Sequence, residues 1–229
     1  MGLTPVNLIL WVDPALVVLN KPAGMLTLPD GYNPDLPHLR SILEPSLGRL
    51  WIVHRLDKET SGVIVIARSA ETHRRLNTQF QQSQVVKEYH ALVMGNPPWD
   101  TYTVDKPLRA NVGHHHRTIV DEKKGKPALT LLRVIRRFSE PRYGDYALVE
   151  ATPKTGRTHQ VRAHLFAVGF PPIADSLYGD KTHPAYHRLA SLGLHARSLT
   201  LEHPLTGKII KYEAPYPQDW TATLSLKIL

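Results

Sequence analysis

The chain has 229 residues and a hydrophobic fraction of 42%, enough for one or two packed cores, which excludes wholesale disorder. It contains no cysteine, so disulfides, thiolate nucleophiles, iron–sulfur clusters and cysteine-based zinc sites are excluded together. Against 20 acidic side chains stand 28 Lys and Arg, a net charge of +8. Leu8 to Val12 is apolar but short, lacks a basic region before it, and runs into Asp13, which does not make a targeting signal. Met1-Gly2 opens like a myristoylation site, yet Val6 stands where Ser or Thr is needed. No apolar run approaches the ~18 residues that span a membrane. A cytoplasmic protein with no membrane partner is expected.

In chain order, Ala15–Leu19 reads as a buried strand stopped by Asn20-Lys21-Pro22-Ala23-Gly24. Residues 25–37 read as a loop, and 36–47 as a short helix interrupted by Pro45. Residues 62–67, Gly-Val-Ile-Val-Ile-Ala, form the strongest strand, apolar on both faces and therefore central. Ser69 is placed to cap a helix carrying Leu76 and Phe80 one turn apart. Strands follow at 89–94, 129–138 and 146–151, then a helix after Thr155-Gly156 with Val161, Leu165 and Val168 on its apolar face. Segments 194–201 and 209–212 close the pattern as strands. Many strands with a few intervening helices predict an α+β fold with a mixed sheet, and no composition break marks a linker, so residues 1–229 are read as a single domain.

The charge is unevenly placed. Residues 1–100 carry nine basic and nine acidic side chains, while 101–229 carry 19 and 11. Within the basic half, residues 105–142 carry ten basic and four acidic side chains. This stretch is either a solvated surface or a face that tracks phosphates, and charge alone does not choose.

Two polar clusters carry the chemistry. His54-Arg55-Leu56-Asp57-Lys58-Glu59-Thr60-Ser61-Gly62 runs into the most buried strand, and a polar loop at the mouth of a core strand holds its side chains on a rigid support. Asp57 suits a nucleophile or general base if a nearby cation keeps it ionised; the other reading is a turn whose Asp, Thr and Ser bond local backbone. Thr155-Gly156-Arg157-Thr158-His159-Gln160-Val161-Arg162-Ala163-His164 is the second cluster, with Arg157 expected near a helix N-terminus that favours anions. His159 and His164 are five apart and do not share a helix face, and His114-His115-His116 cannot converge on one ion, so no metal site is expected.

The two clusters, about a hundred residues apart, resemble the RluA-type pseudouridine synthases. Supporting pieces fall in the same order: Asn20 to Gly24, Lys87-x-Tyr89-x-Ala91, Gly125-Lys126-Pro127-Ala128, Asp175 with Tyr178, Leu194-His195-Ala196 and His203-Pro204. The resemblance covers roughly residues 15–217. It implies a catalytic domain with a mixed, mainly antiparallel β-sheet flanked by helices and loops and split by a central cleft. It also implies a cofactor-free, metal-free isomerase that converts uridines of ribosomal or transfer RNA to pseudouridine.

The same resemblance assigns roles. Asp57 matches the catalytic aspartate, Arg157 the arginine that pairs with it, and Tyr89 the tyrosine that packs on the base. Arg55 matches an arginine that helps to extrude the uridine. Lys21, Gln160, Arg162 and His195 fill recurrent positions with supporting roles. Lys21 and Arg162, with Arg55, Lys123, Lys124 and Lys126, are the cations expected to meet RNA.

Relatives commonly carry Ile and Gly where Pro172 and Ala174 stand, so the loop 169–175 is expected to differ. The frequent N-terminal RNA-binding module has no counterpart here, which leaves target selection to the catalytic domain, expected as a monomer. The alternatives are a catalytically silent RNA-binding protein and a glycoside hydrolase with Glu59 as second carboxylate.

Overall fold

A computed structural model describes residues 5–113 and 116–224, with no side chain described at Pro5, Val6 or Ala222. Met1-Gly2, His114 and His115 therefore lie outside the described residues. The chain packs as two compact units: Met1–Val86 with Ala196–Tyr216, and Lys87–His195 with Pro217–Leu229.

In the first unit the elements are β1 (Ile9–Val12), β2 (Leu16–Lys21), α1 (Leu39–Leu47), β3 (Trp51–Ile52), β4 (Ser61–Ala67) and α2 (Ala70–Gln81). The second unit holds β5 (Val86–Met94), β6 (Thr101–Asp105), β7 (Leu108–Val112), β8 (Arg117–Val120), β9 (Leu129–Glu140), β10 (Gly144–Pro153) and α3 (Gln160–Ala167). Then β11 (Leu194–Glu202), from Ala196 onward, and β12 (Ile209–Glu213) return to the first unit, and α4 (Gln218–Leu224) belongs to the second. This is an α+β architecture built on a mainly antiparallel sheet.

The strand order in the first unit is β1-β2-β4-β11-β12, with β3 also on β4. All seven residues of β4 are buried, as an apolar run without alternation requires of a strand covered on both faces. Its antiparallel register with β2 sets Lys21 opposite Gly62, so the buried lysine and the end of the Asp57 loop sit side by side. Ser69 caps α2 as expected, its hydroxyl accepting from the Thr72 N–H at 3.1 Å. Pro45 does not break α1: it lies near the C-terminus, and the helix ends at Gly48, whose φ of +73° suits a residue without Cβ.

In the second unit the order is β5-β10-β9-β6, and β7-β8 form a separate hairpin. Ala91, Val93, Leu132, Val149 and Ala151 make a core that α3 covers with Val161 and Leu165. A smaller cluster of Leu108, Ala128, Ala163 and Tyr178 seats the hairpin on α3. Five strands, β1, β3, β6, β7 and β8, have no counterpart in the expectations above; β3 is only two half-buried residues and β8 buries one of its four. β1 is largely exposed, and β6 and β7 each bury one residue, so none displays a clear apolar pattern.

In the loop 169–175, Ala174 has φ +55°, in the left-handed region that favours glycine, so the alanine there is strained.

Candidate active site

The Asp57 loop is built from below by Lys21. This residue is 0% exposed, and its ammonium donates to the carbonyls of Pro22 (3.0 Å), Met25 (2.9 Å) and Lys58 (3.0 Å). Burial pushes its pKa down from 10.5 to about 8, opposed by the negative charges of Glu59 and Asp57. The Gly24 N–H also donates to the Lys58 carbonyl, at 2.9 Å. On the other side of Asp57, the Thr27 hydroxyl donates to the Leu56 carbonyl (2.9 Å) and accepts from the Leu56 N–H (3.3 Å). Leu56 and Lys58, the neighbours of Asp57, are thus both held by buried polar contacts, while Asp57 itself is half-buried and Arg55 exposed. A carboxylate on so fixed a backbone can act on a bound group without first paying to order its loop.

The flanks are equally determined. The His54 imidazole accepts from the Val65 N–H at 3.0 Å and stacks on Phe80 with centroids 4.7 Å apart, which ties the loop to β4 and α2. Gly62 has φ +115°, and a Cβ there would lie 2.6 Å from the Ala196 nitrogen and closer still to its carbonyl oxygen. Glycine is therefore compelled where the loop enters β4 against β11. The Thr60 N–H donates to the Asp57 carbonyl at 3.1 Å, so a turn forms here through the backbone. It shapes the loop that carries the carboxylate.

Tyr89 and Arg157 belong to the second unit. Tyr89 lies on β5 opposite Ala151 and packs half-buried against the core. Arg157 is exposed and precedes α3 rather than lying on it, with His159 at φ +51° forming the corner. Its position is set by Gln160. The Gln160 carbonyl oxygen accepts from the Arg157 N–H (3.0 Å) and the Thr155 hydroxyl (2.7 Å). The Gln160 amide donates to the Leu129 carbonyl and the Thr130 hydroxyl, both at 3.0 Å. The Arg157 Nε donates to the Pro127 carbonyl at 3.0 Å. Lys87, its pKa pushed down by burial, ties β5 to the same segment through the Thr155 carbonyl at 3.2 Å.

Two of the expected RNA contacts need correction. Lys21 is consumed by three carbonyls. Arg162 is 3% exposed and forms a bidentate pair with Asp175, Nε to Oδ2 at 2.8 Å and Nη2 to Oδ1 at 2.7 Å. Neither presents its charge to an outside phosphate. The Asp175 carboxylate also accepts from the N–H groups of Leu177 and Tyr178, at 3.0 and 3.1 Å, so the pair builds the loop behind α3. His195 is fully buried. Lys123, Lys124 and Lys126 are all exposed, and Lys124 and Lys126 line a cleft of about 400 Å³ together with Arg157. Arg109 completes that wall. It was missed in the sequence because a single arginine in a basic stretch carries no pattern of its own.

The imidazole nitrogens of His164 face the Thr130 hydroxyl (2.8 Å) and the Lys106 carbonyl (3.0 Å), which leaves no ligand atom for a metal. Among the described residues, Glu88, His90 and Glu150 bring three ligand atoms within 4.8 Å of one another. Arg133 already pairs with Glu150 there, a positive charge that opposes a cation.

A family model described as RNA pseudouridylate synthase matches residues 15–167, which include both the Asp57 loop and the Arg157 turn. The chain belongs to the RNA pseudouridylate synthase family. It is 38% identical to a protein named ribosomal large subunit pseudouridine synthase D from Nitrosomonas europaea, over 94% of this chain and 64% of that one. A protein of the same name from Zymomonas mobilis is 35% identical over 92% of this chain and 69% of its own length. The chain thus spans about two thirds of these relatives. Among solved structures, human RNA pseudouridylate synthase domain containing 1 matches with a TM-score of 0.78 and 26% identity, over 95% of this chain and 87% of that one. Human RNA pseudouridylate synthase domain containing 4 gives 0.75 and 27%, over 96% and 92%.

Proposed function

We propose that this member of the family isomerises uridine to pseudouridine in ribosomal or transfer RNA, with Asp57 as the catalytic carboxylate. The observation that carries the reading is the Asp57 loop itself, a half-exposed carboxylate between two residues anchored by Lys21 and Thr27. Arg157 and Tyr89 take the supporting roles that the family motif assigns, and Arg55, Lys123, Lys124 and Lys126 meet the RNA. The names of the relatives favour large-subunit ribosomal RNA as the substrate. The two units are proposed to act as one catalytic domain, monomeric and cytoplasmic. Among the described residues no helix is long and apolar enough to cross a membrane.

The reaction breaks the bond between ribose C1′ and uracil N1 and forms one between C1′ and C5. The C5 hydrogen leaves as a proton and N1 gains one, so atoms and electrons balance without any co-substrate. The target base has to leave its stack first, at a cost of roughly a few kcal/mol. An ionised Asp57 serves whether it attacks the sugar, attacks the ring or removes a sugar proton.

Tritium release from RNA labelled at uracil C5 tests the proposal. The wild-type protein is expected to release tritium from cellular RNA, and Asp57→Asn to lose at least about three orders of magnitude in rate. RNA binding without tritium release from any cellular RNA would instead establish a silent RNA-binding protein. Mapping pseudouridine across the transcriptome after deletion of the gene identifies the substrate by the sites that vanish.

A further inference from the structure

We propose that the cleft bounded by β7, β8, the turn 121–126 and residues 156–158 is a binding site for a phosphodiester of the RNA strand. This rests on the RNA reading above and adds a site to it, with Arg109 and Thr118 as residues that no motif supplies.

The cationic wall is built rather than incidental. Arg109, Lys124, Lys126 and Arg157 line a cleft of about 400 Å³, whose remaining surface comes from Leu108, Ala110, Thr118, Gly156 and Thr158. Asp121 organises it. One oxygen of its carboxylate lies 3.0 Å from Arg109 Nε, and the other accepts from the N–H groups of Lys123 (3.1 Å) and Lys124 (2.9 Å). Gly125 lets the turn close, because a Cβ there would come within 2.7 Å of the Pro107 carbonyl carbon. Lys126 and Leu108 then exchange backbone hydrogen bonds of 2.8 and 2.9 Å. The backbones that carry the three cations are therefore fixed before any ligand arrives, and Arg157 is held through Pro127.

A second, independent observation points to a ligand. Thr118 is 1% exposed and lines the cleft, and its hydroxyl has no hydrogen-bond partner among the described residues. Buried polar groups are ordinarily paired, so a hydroxyl left open beside four cations suits an incoming phosphate oxygen. Thr118 is also placed exactingly, since its N–H donates to the Tyr178 hydroxyl and its carbonyl accepts from that hydroxyl, both at 2.9 Å. A phosphodiester carries one negative charge, as a carboxylate does, but a strand brings several in a row, which suits Arg109, Lys124 and Lys126 set against the single carboxylate of Asp121. The volume exceeds that of a lone phosphate, and the exposed Ala110 offers an apolar contact for a sugar. Together these features fit a nucleotide of the strand with its phosphodiester.

The test combines protein variants with neutral linkages in the RNA. Arg109→Gln, Lys126→Gln and Thr118→Val are compared with wild type in affinity for a substrate RNA across a salt series. Each cation variant is expected to weaken binding about three- to thirty-fold at low salt and to reduce the slope of log affinity against log salt by about one. A methylphosphonate scanned through the linkages near the target uridine should weaken wild type at one linkage. At that linkage it should cost Arg109→Gln and Lys126→Gln nothing further. Unchanged affinity and slope in both cation variants would overturn the site, as would losses that simply add at every linkage.

Two arms separate the sources of phosphate and the two readings. Millimolar inorganic phosphate or uridine monophosphate should compete no better than chloride at equal ionic strength; specific displacement would assign the cleft to a free nucleotide and overturn the strand site. If pseudouridine forms but no coupling is seen, the cleft inference fails alone. Coupling without any pseudouridine overturns the catalytic reading and keeps the site, whereas no RNA binding at all overturns both.

Discussion

Replacing Lys21 with Met keeps the volume of the stem and removes only the ammonium from beneath the Asp57 loop. The carbonyls of Pro22, Met25 and Lys58 then lose their donor, the Met25 contact being fully buried and the other two partly so. Hydrogen bonds to a charged donor are worth about 1.5–3 kcal/mol each, and at the low end, which suits contacts two of which are only partly buried, the gross loss is roughly 5 kcal/mol. Against it stands the relief of a buried charge: the pKa of Lys21 falls from 10.5 to about 8, equivalent to roughly 3 kcal/mol. The variant should therefore be about 2 kcal/mol less stable at pH 7, a large share of a domain's ~5–15 kcal/mol. The pH dependence is more diagnostic. Because the folded pKa is the lower one, the unfolded chain binds more protons between about pH 8 and 10.5, and wild-type stability gains across that window. Lys21→Met lacks this gain, so the gap between the two proteins should widen toward about 5 kcal/mol as pH rises. Urea denaturation at pH 7 and pH 9.5 measures both quantities. Equal stability at pH 7 with a gap that does not grow would refute the assignment of Lys21 as the anchor of the loop.

Three further substitutions probe the frame around the site. Gly62→Ala should cost more than about 4 kcal/mol, because its Cβ would meet the Ala196 backbone, which cannot yield; circular dichroism melting checks this, and a wild-type melting temperature would contradict the packing. Ala174→Gly should instead stabilise by about 0.5–1 kcal/mol, since φ is +55° and an alanine there is strained; a higher melting temperature is the expected reading. Arg162→Met should lose about 3–5 kcal/mol by leaving Asp175 buried and unpaired. Adding Asp175→Leu should recover only part of this in urea titrations, because the carboxylate also holds the N–H groups of Leu177 and Tyr178.

How legible each element was follows from how it is stabilised. β4 announced itself because seven consecutive buried residues leave an unbroken apolar run, and α2 because Ser69 caps it and Leu76 lies on its buried face. β1 and the β7-β8 hairpin did not, since backbone pairing holds them while much of their side-chain surface stays in water. Local preference argues against a left-handed alanine at Ala174, yet the residue before it is held by pairing, Ile173 bonding both Leu92 and Gly193, which stabilises the strained backbone.

The sequence by itself determined the α+β class, the two motif loops and the surplus of positive charge in the second half of the chain, because these depend on residue type and order. Which cations are available to a ligand was decided only by tertiary structure. Lys21 and Arg162 read as basic residues like any others, yet burial commits one to three carbonyls and the other to Asp175. Arg109 and Thr118 carried no signal until the fold of the hairpin set them beside Lys124, Lys126 and Arg157. The physical reason is that charge is a property of the side chain, whereas its exposure and its partners are properties of the packing around it.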